Sequence, residues 1–312
     1  MNRYIRNCLL LLLSLVLPVS MSCGSPKSGE TRSLIEITDQ LGRVVKLNRI
    51  PQRIISLAPG NTEILFALGL AERVVAVTDY DNYPPEAKQK PSIGGFSTPN
   101  IEKVVALSPD LVLATSIHQR QIIPNLEQRG ITVFALAPNT LDELLEAITL
   151  VGKITGEEKG ASNLVAGMRT KIKAVTDKTS GLSEAQKPRV FYITWHDPLK
   201  TAGVGTLLDE LIQKAGGANV AWDLNGYAGI SLEAVIQANP EVIVAGTGMG
   251  TGADAPLQFA LTEPRLRNTE ARLHNRVYPM DTDLTGRAGP RIVDALEQFA
   301  QYTHPELFKE SK

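Results

Sequence analysis

The stretch GFSTPNIEKVVALSPDLVLA, residues 95–114, returns later in the chain as GYAGISLEAVIQANPEVIVA, residues 226–245. The two align without a gap at one offset, since Glu102 to Glu233 and Pro109 to Pro240 are each 131 positions apart (233 − 102 and 240 − 109). Each copy reads as an aromatic loop, then a helix capped by Asn100 or Ser231 with an acid two positions on, then a proline break and a buried strand, LVLA or VIVA. A chain that repeats a whole helix and strand predicts two similar lobes. Its 312 residues, 43% hydrophobic, suffice for two packed cores.

The rest of the chain alternates strands and helices. IEITDQLGRVVKL, residues 35–47, alternates apolar and polar positions around Gly42 and predicts a hairpin, followed by strand RIISL. Asn61 is expected to cap the helix TEILFALG, which Gly69 ends, before strand VVAV. The same order recurs through LVLA, a helix over residues 122–128 and strand TVFAL, which is the pattern of a parallel α/β lobe. Residues 141–155 and 157–178 carry helical spacing, the second with an apolar stripe of Ala161, Leu164, Val165, Met168, Ile172 and Val175. That stripe predicts one long helix, or two with a bend. The expected organisation is an N-terminal lobe over 35–155, a bridging helix over 156–180 and a C-terminal lobe over 187–308. A single helix joining two Rossmann-like α/β lobes leaves little hinge freedom.

The first residues indicate where such a chain works. Arg3 and Arg6 precede an apolar run, Leu9 to Leu17, too short to span a bilayer and of the length of an export signal. Residues 1–23 therefore read as a signal peptide. Ser20, Met21 and Ser22 ahead of Cys23 resemble a lipobox, although Ser20 stands where Leu is usual, so an ordinarily cleaved soluble protein is the alternative to an anchor. The only cysteines are Cys8 and Cys23, which leaves the mature chain no disulfide and places its one thiol where a lipid attaches. Residues 24–34 read as a tether. Net charge is 32 − 33 = −1 with no basic run, which argues against nucleic-acid binding.

Taken in order, ITDQLGRVVKLNRIPQRIISLAPGNTEILFALGL, TDYDNYPPEA, NIEKVVALSPDLVLA, TLLDELIQKAGGANV, SLEAVIQANPEVIV and GRAGPRI resemble the cobalamin and iron-siderophore binding proteins of ABC importers, from about Ile35 to the C-terminus. SLAPGNTEILFALGL with TDYDNYPPEA is most similar to the cobalamin branch. The resemblance implies the class III periplasmic-binding fold, a ligand held between the lobes, no catalytic step and no resident cofactor. It also implies a monomer delivering a corrinoid to a permease dimer with its ATPase subunits, lipid-anchored outside the cytoplasm.

By motif position the resemblance assigns Glu102 and Glu233 to docking on permease arginines. Acids in a helix's first turn are also favoured by its dipole, by about 0.3–1 kcal/mol, without any partner. Tyr80, Phe96 and Tyr227 match residues lining the corrin pocket, and Asp283 and Arg287 match cleft positions. Trp195 and Trp222 also fall in loops at strand ends, where aromatic faces can bury a wide, amide-fringed disc, and loop packing is the alternative for each. The cobalamin branch often carries Trp where Phe96 and Thr115 stand, which keeps haem and ferric siderophores open as ligands. His118 and His196 follow expected strands and are candidates to coordinate a metal in the ligand, surface histidines being commoner. GTGMGTG lacks the GxGxxG spacing, and the four histidines lack the close spacing of a zinc site.

Overall fold

Both lobes are built on one strand order. A computed structural model of the protein describes residues 35–248 and 254–308. The export signal, Cys23, the tether and most of the GTGMGTG loop lie outside the described residues. The hairpin β1 (Ile35–Thr38) and β2 (Val44–Leu47) pairs antiparallel, Ile37 opposite Val45. The first lobe continues with β3 (Ile54–Ser56), α1 (Pro59–Ala67), β4 (Val74–Ala76), α2 (Ile101–Ala106), β5 (Leu111–Thr115), α3 (Ile122–Glu127), β6 (Val133–Leu136) and α4 (Leu141–Thr155). Then comes α5 (Glu158–Thr179). The second lobe holds β7 (Arg189–Ile193), β8 (Trp195–His196), β9 (Leu199–Ala202), α6 (Leu207–Lys214), β10 (Ala218–Asn219), β11 (Tyr227–Gly229), α7 (Leu232–Ala238), β12 (Val242–Thr247) and α8 (Ala255–Thr262). It closes with α9 (Glu270–Leu273), β13 (Val277–Asp281), α10 (Thr282–Thr285), α11 (Ile292–Thr303) and α12 (Pro305–Phe308).

The first sheet runs β4-β3-β5-β6 and the second β10-β7-β12-β13, all parallel. Counted from each lobe's first sheet strand, both orders are second, first, third, fourth. The repeated unit occupies one place in both: α2 and β5 begin 131 residues before α7 and β12 (232 − 101 and 242 − 111). Its helices are capped as the repeat predicts, Asn100 Oδ1 accepting from Lys103 N–H and Ser231 Oγ from Ala234 N–H. Their far ends match too. Ser108 and Asn239 both turn left-handed at φ 45, and an arginine at the start of each lobe's first sheet strand closes the helix, Arg53 just before β3 donating to Leu107 and Ser108 carbonyls and Arg189 of β7 to those of Ala238 and Asn239. Asn61 does not cap α1 as expected; the N-cap is Ala58. Pro59 fits the first turn, so the helix starts earlier, and Asn61 lies buried inside it with Nδ2 donating to the Ala114 carbonyl.

Alternate strand residues serve two cores, as expected when both faces of a parallel sheet are covered. Val112 and Ala114 face the outer layer with Val104 of α2 and Leu126 of α3. Leu111 and Leu113 face the other way, into a cluster that also holds Leu144 and Ile148 of α4, Ala161, Met168 and Val175 of α5, and Leu208, Val244 and Phe299 of the second lobe. The lobes thus share one core, and α5 runs through it. At about 1.5 Å per residue its 22 residues reach about 33 Å. Gly156, at φ 74, caps α4 in the left-handed region, and the chain turns there into α5.

The lobes also meet at the other end of α1. An added Cβ on Gly60 would lie 2.6 Å from the Ala288 carbonyl oxygen, backbone against backbone. Gly60→Ala is expected to lower stability by about 1–3 kcal/mol, because neither chain segment can yield alone. Thermal unfolding of the variant checks this, and an unchanged Tm would show that the approach is loose.

Candidate functional site: a cleft at the carboxyl ends of both sheets

Open parallel sheets gather ligand-facing loops at their strand C-termini, where the strand order switches. Here those loops enclose a cavity of about 920 Å³. The first lobe lines it with Ala58 and Pro59 after β3, Asp79, Tyr80 and Asn82 after β4, the 95–98 loop, Thr115 and Ser116 at the end of β5, and the 136–139 segment at the end of β6. The second lobe adds Gly248 after β12, and Thr282, Asp283, Gly286, Arg287 and Ala288 after β13.

The loop bearing Tyr80 is folded on Asp81, whose buried carboxylate accepts the Thr78 N–H at 2.9 Å and the Thr78 hydroxyl. Burial pushes the Asp81 carboxyl above its ordinary range, against the hydrogen bonds that hold it down. Tyr80 itself is 61% exposed. Phe96 is half-buried and meets the His118 ring edge-on at 5.5 Å. His118 is no candidate for coordination. It is fully buried, its Nδ1 accepts the Thr115 N–H at 3.0 Å, and the remaining nitrogen must therefore be Nε2–H, donating to the Phe96 carbonyl at 2.8 Å. Its role is to hold the Phe96 loop against the end of β5.

Arg287 and Asp283 stand at the cleft's second-lobe wall. Arg287 pairs with Asp283 Oδ1 at 2.7 Å and reaches across to the first lobe, donating to Asn82 Oδ1 at 2.6 Å, to the Tyr80 carbonyl at 3.2 Å and to Glu63 Oε1 at 3.4 Å. Asn82 Nδ2 completes the ring to Asp283 Oδ2 at 2.8 Å. Arg291, four residues on at the start of α11, holds both Glu63 oxygens at 3.0 and 2.6 Å and lies 3.9 Å over the Tyr83 ring. Burial opposes its charge, yet the Glu63 hydrogen bonds hold the Arg291 guanidinium above its ordinary value. In the sequence Glu63 is marked only by an internal position in a helix. Arg287 is the one cation lining the cleft among the described residues.

Trp195 and Tyr227 do not line that cavity. They belong to a small antiparallel sheet, β11-β9-β8, placed just after β7. Trp195 is half-buried, its Nε1 donating to the Asp197 carbonyl at 2.8 Å. Its neighbour His196, also half-buried, packs between Trp195 and Phe259, at 5.2 and 6.2 Å. Tyr227 and Trp222 are 61% and 73% exposed. Glu102 and Glu233 lie on the outer helices α2 and α7, both exposed, and Glu233 has Arg265 at 3.7 Å.

Two lobes of one strand order, fused by a long helix and facing each other across a cleft of strand-end loops, define a solute-binding receptor. The chain belongs to the periplasmic binding protein family, whose model matches residues 54–284, and such proteins bind solutes for transport rather than catalyse reactions. It is 34% identical over 303 residues to the uncharacterized ABC transporter substrate-binding lipoprotein YvrC of Bacillus subtilis, covering 92% of this chain and 94% of that one. It is 32% identical to a cobalamin-binding protein of Halobacterium salinarum, covering 85% of this chain and 73% of the relative. Among solved structures it is similar to the periplasmic haem-binding protein RhuT of Roseiflexus, with a TM-score of 0.73 at 29% identity, over 82% of this chain and 99% of that one.

Burial holds the His118 pKa below its ordinary 6.5, despite the Phe96 carbonyl. The unfolded chain therefore takes up a proton first as pH falls, and stability declines from about pH 6.5 downward toward the folded value. Over pH 7.5 to 5, the wild-type Tm is expected to fall more steeply than that of His118→Gln. Parallel curves would remove His118 as the cause.

Proposed function

We propose that the protein captures a corrinoid between its lobes outside the cytoplasm and delivers it to the permease of an ABC importer. The observation that carries the ligand class is the composition of the cleft wall. It offers aromatic faces from Tyr80 and Phe96, neutral hydrogen-bonding groups from Ser97, Thr98, Ser116 and Asn139, and no uncommitted cation among the described residues. A corrin is a wide, largely apolar disc fringed with amides, which such a wall can bury and orient. Asp283 and the Arg287 it braces frame the disc's edge from the second lobe, with Trp195 and Tyr227 beyond the rim. The cobalamin-binding relative supports the same class.

Haem is the second reading. Tyr80 stands exposed over the cleft, and a tyrosine phenolate is an iron ligand. Against it, haem's two carboxylates would find their one lining cation already engaged.

Cys23 carries a lipid in this reading, and residues 24–34 tether the receptor to the membrane. Glu102 and Glu233 dock the loaded protein. Presented by outer helices at one repeat spacing, they suit a two-fold symmetric permease, each meeting arginine in a charge-assisted pair.

Calorimetric titration of protein lacking residues 1–23 with cyanocobalamin, aquacyanocobinamide, haemin and a ferric hydroxamate is expected to show micromolar or tighter binding of a corrinoid. Binding of an iron complex alone would overturn the assignment. Reversing both charges, Glu102→Lys with Glu233→Lys, is expected to abolish stimulation of the permease's ATPase at unchanged ligand affinity. Lost affinity would instead make those acids structural.

A further inference from the structure

The cation at the cleft wall is engaged from both lobes, by Asp283 beside it and by Asn82, the Tyr80 carbonyl and the buried Glu63 of the first lobe. The Glu63 side chain is 2% exposed and that of Arg287 9%. Glu63 accepts from Arg291 Nε and Nη2 at 3.0 and 2.6 Å and from Arg287 Nη1 at 3.4 Å, while Asp283, Asn82 and the Tyr80 carbonyl take the other bonds of Arg287. Two carboxylates thus balance two guanidinia inside a closed network. Among the described residues the only other charge lining the cleft is Asp79, which accepts the Ser92 hydroxyl. Residues 249–253, MGTGA, include no Lys, Arg or His.

We propose that Glu63 is a specificity-determining residue: by adding a buried first-lobe carboxylate to the network that engages Arg287, it leaves the cleft without a cation free to receive a ligand carboxylate. The cleft then admits neutral or cationic amide-fringed ligands and rejects those bearing free carboxylates. The accepted class rests on the corrinoid reading; the rejected class does not. Removing one partner of a buried pair leaves the other's charge uncompensated, so without Glu63 the network itself creates an anion acceptor at the cleft wall.

The test is Glu63→Gln, titrated with haemin, with the dimethyl ester of haemin and with aquacyanocobinamide, alongside thermal unfolding. The variant is expected to bind haemin about tenfold tighter than wild type, the gain of one hydrogen bond to a charged group. The ester, which lacks the carboxylates, should gain nothing, and the cationic corrinoid should bind no tighter. Glu63→Gln with Arg287→Gln should lose the haemin gain. Arg291→Met, which weakens the network but leaves Glu63 on Arg287, should lower Tm without any haemin gain. If Glu63→Gln does not fold, Asp283→Asn releases the same guanidinium from the cleft side, and the same difference between haemin and its ester is expected. An equal gain for acid and ester, no gain for the acid, or a gain that survives Arg287→Gln overturns the proposal. A wild type that binds no corrinoid overturns the proposed function instead, while the ratio of haemin affinities between variant and wild type still judges Glu63.

Discussion

Everything else in the molecule depends on the buried stripe of α5. Ala161, Met168 and Val175 recur every seventh residue and face one core that reaches from α4 of the first lobe to α11 of the second. Truncating a fully buried aliphatic or methionine side chain typically costs about 2–5 kcal/mol, so this stripe alone holds the lobes more firmly than any surface ion pair. Polar ties along the helix follow its direction, with Lys171 on Asp294 and Thr179 on the Lys214 carbonyl toward the second lobe. Glu210 does the same in reverse, its carboxylate receiving the Leu141 N–H at the start of α4.

Because spacing is set there, the cleft can rely on short polar contacts that a mobile hinge would break. Gly60 against Ala288, and Glu63 against Arg287 and Arg291, join α1 to the segment between α10 and α11 across the gap. The buried charges at that junction compensate each other, which is the condition under which an ion pair is tolerated away from water. The cleft wall is then built from groups whose own partners already fix them: Phe96 through His118, and Tyr80 through the turn on Asp81.

Local signals were legible where local physics decides. Thr140 caps α4 and residues 141–155 form it as read, because its apolar face and caps agree. The repeat located α2, β5, α7 and β12, and even the helix caps. Asn61 was misread because a proline two positions earlier competes for the helix start, and the proline won. What spacing does not show is pairing over long separations. Glu63 and Arg291 are 228 residues apart, and nothing near either one announces the other. His118 looked like a loop histidine because burial and the use of both ring nitrogens are properties of the fold, not of SIH.

The shared core has a consequence for signalling. A receptor whose halves are packed together through one interior is expected to change little in outline when it fills, so the distance between its two outer helices would carry almost no news of the cargo. Any partner that grips those helices must learn whether the receptor is full from the rim of the cleft, where the loops of both sheets end and where a bound solute alters the texture of the surface.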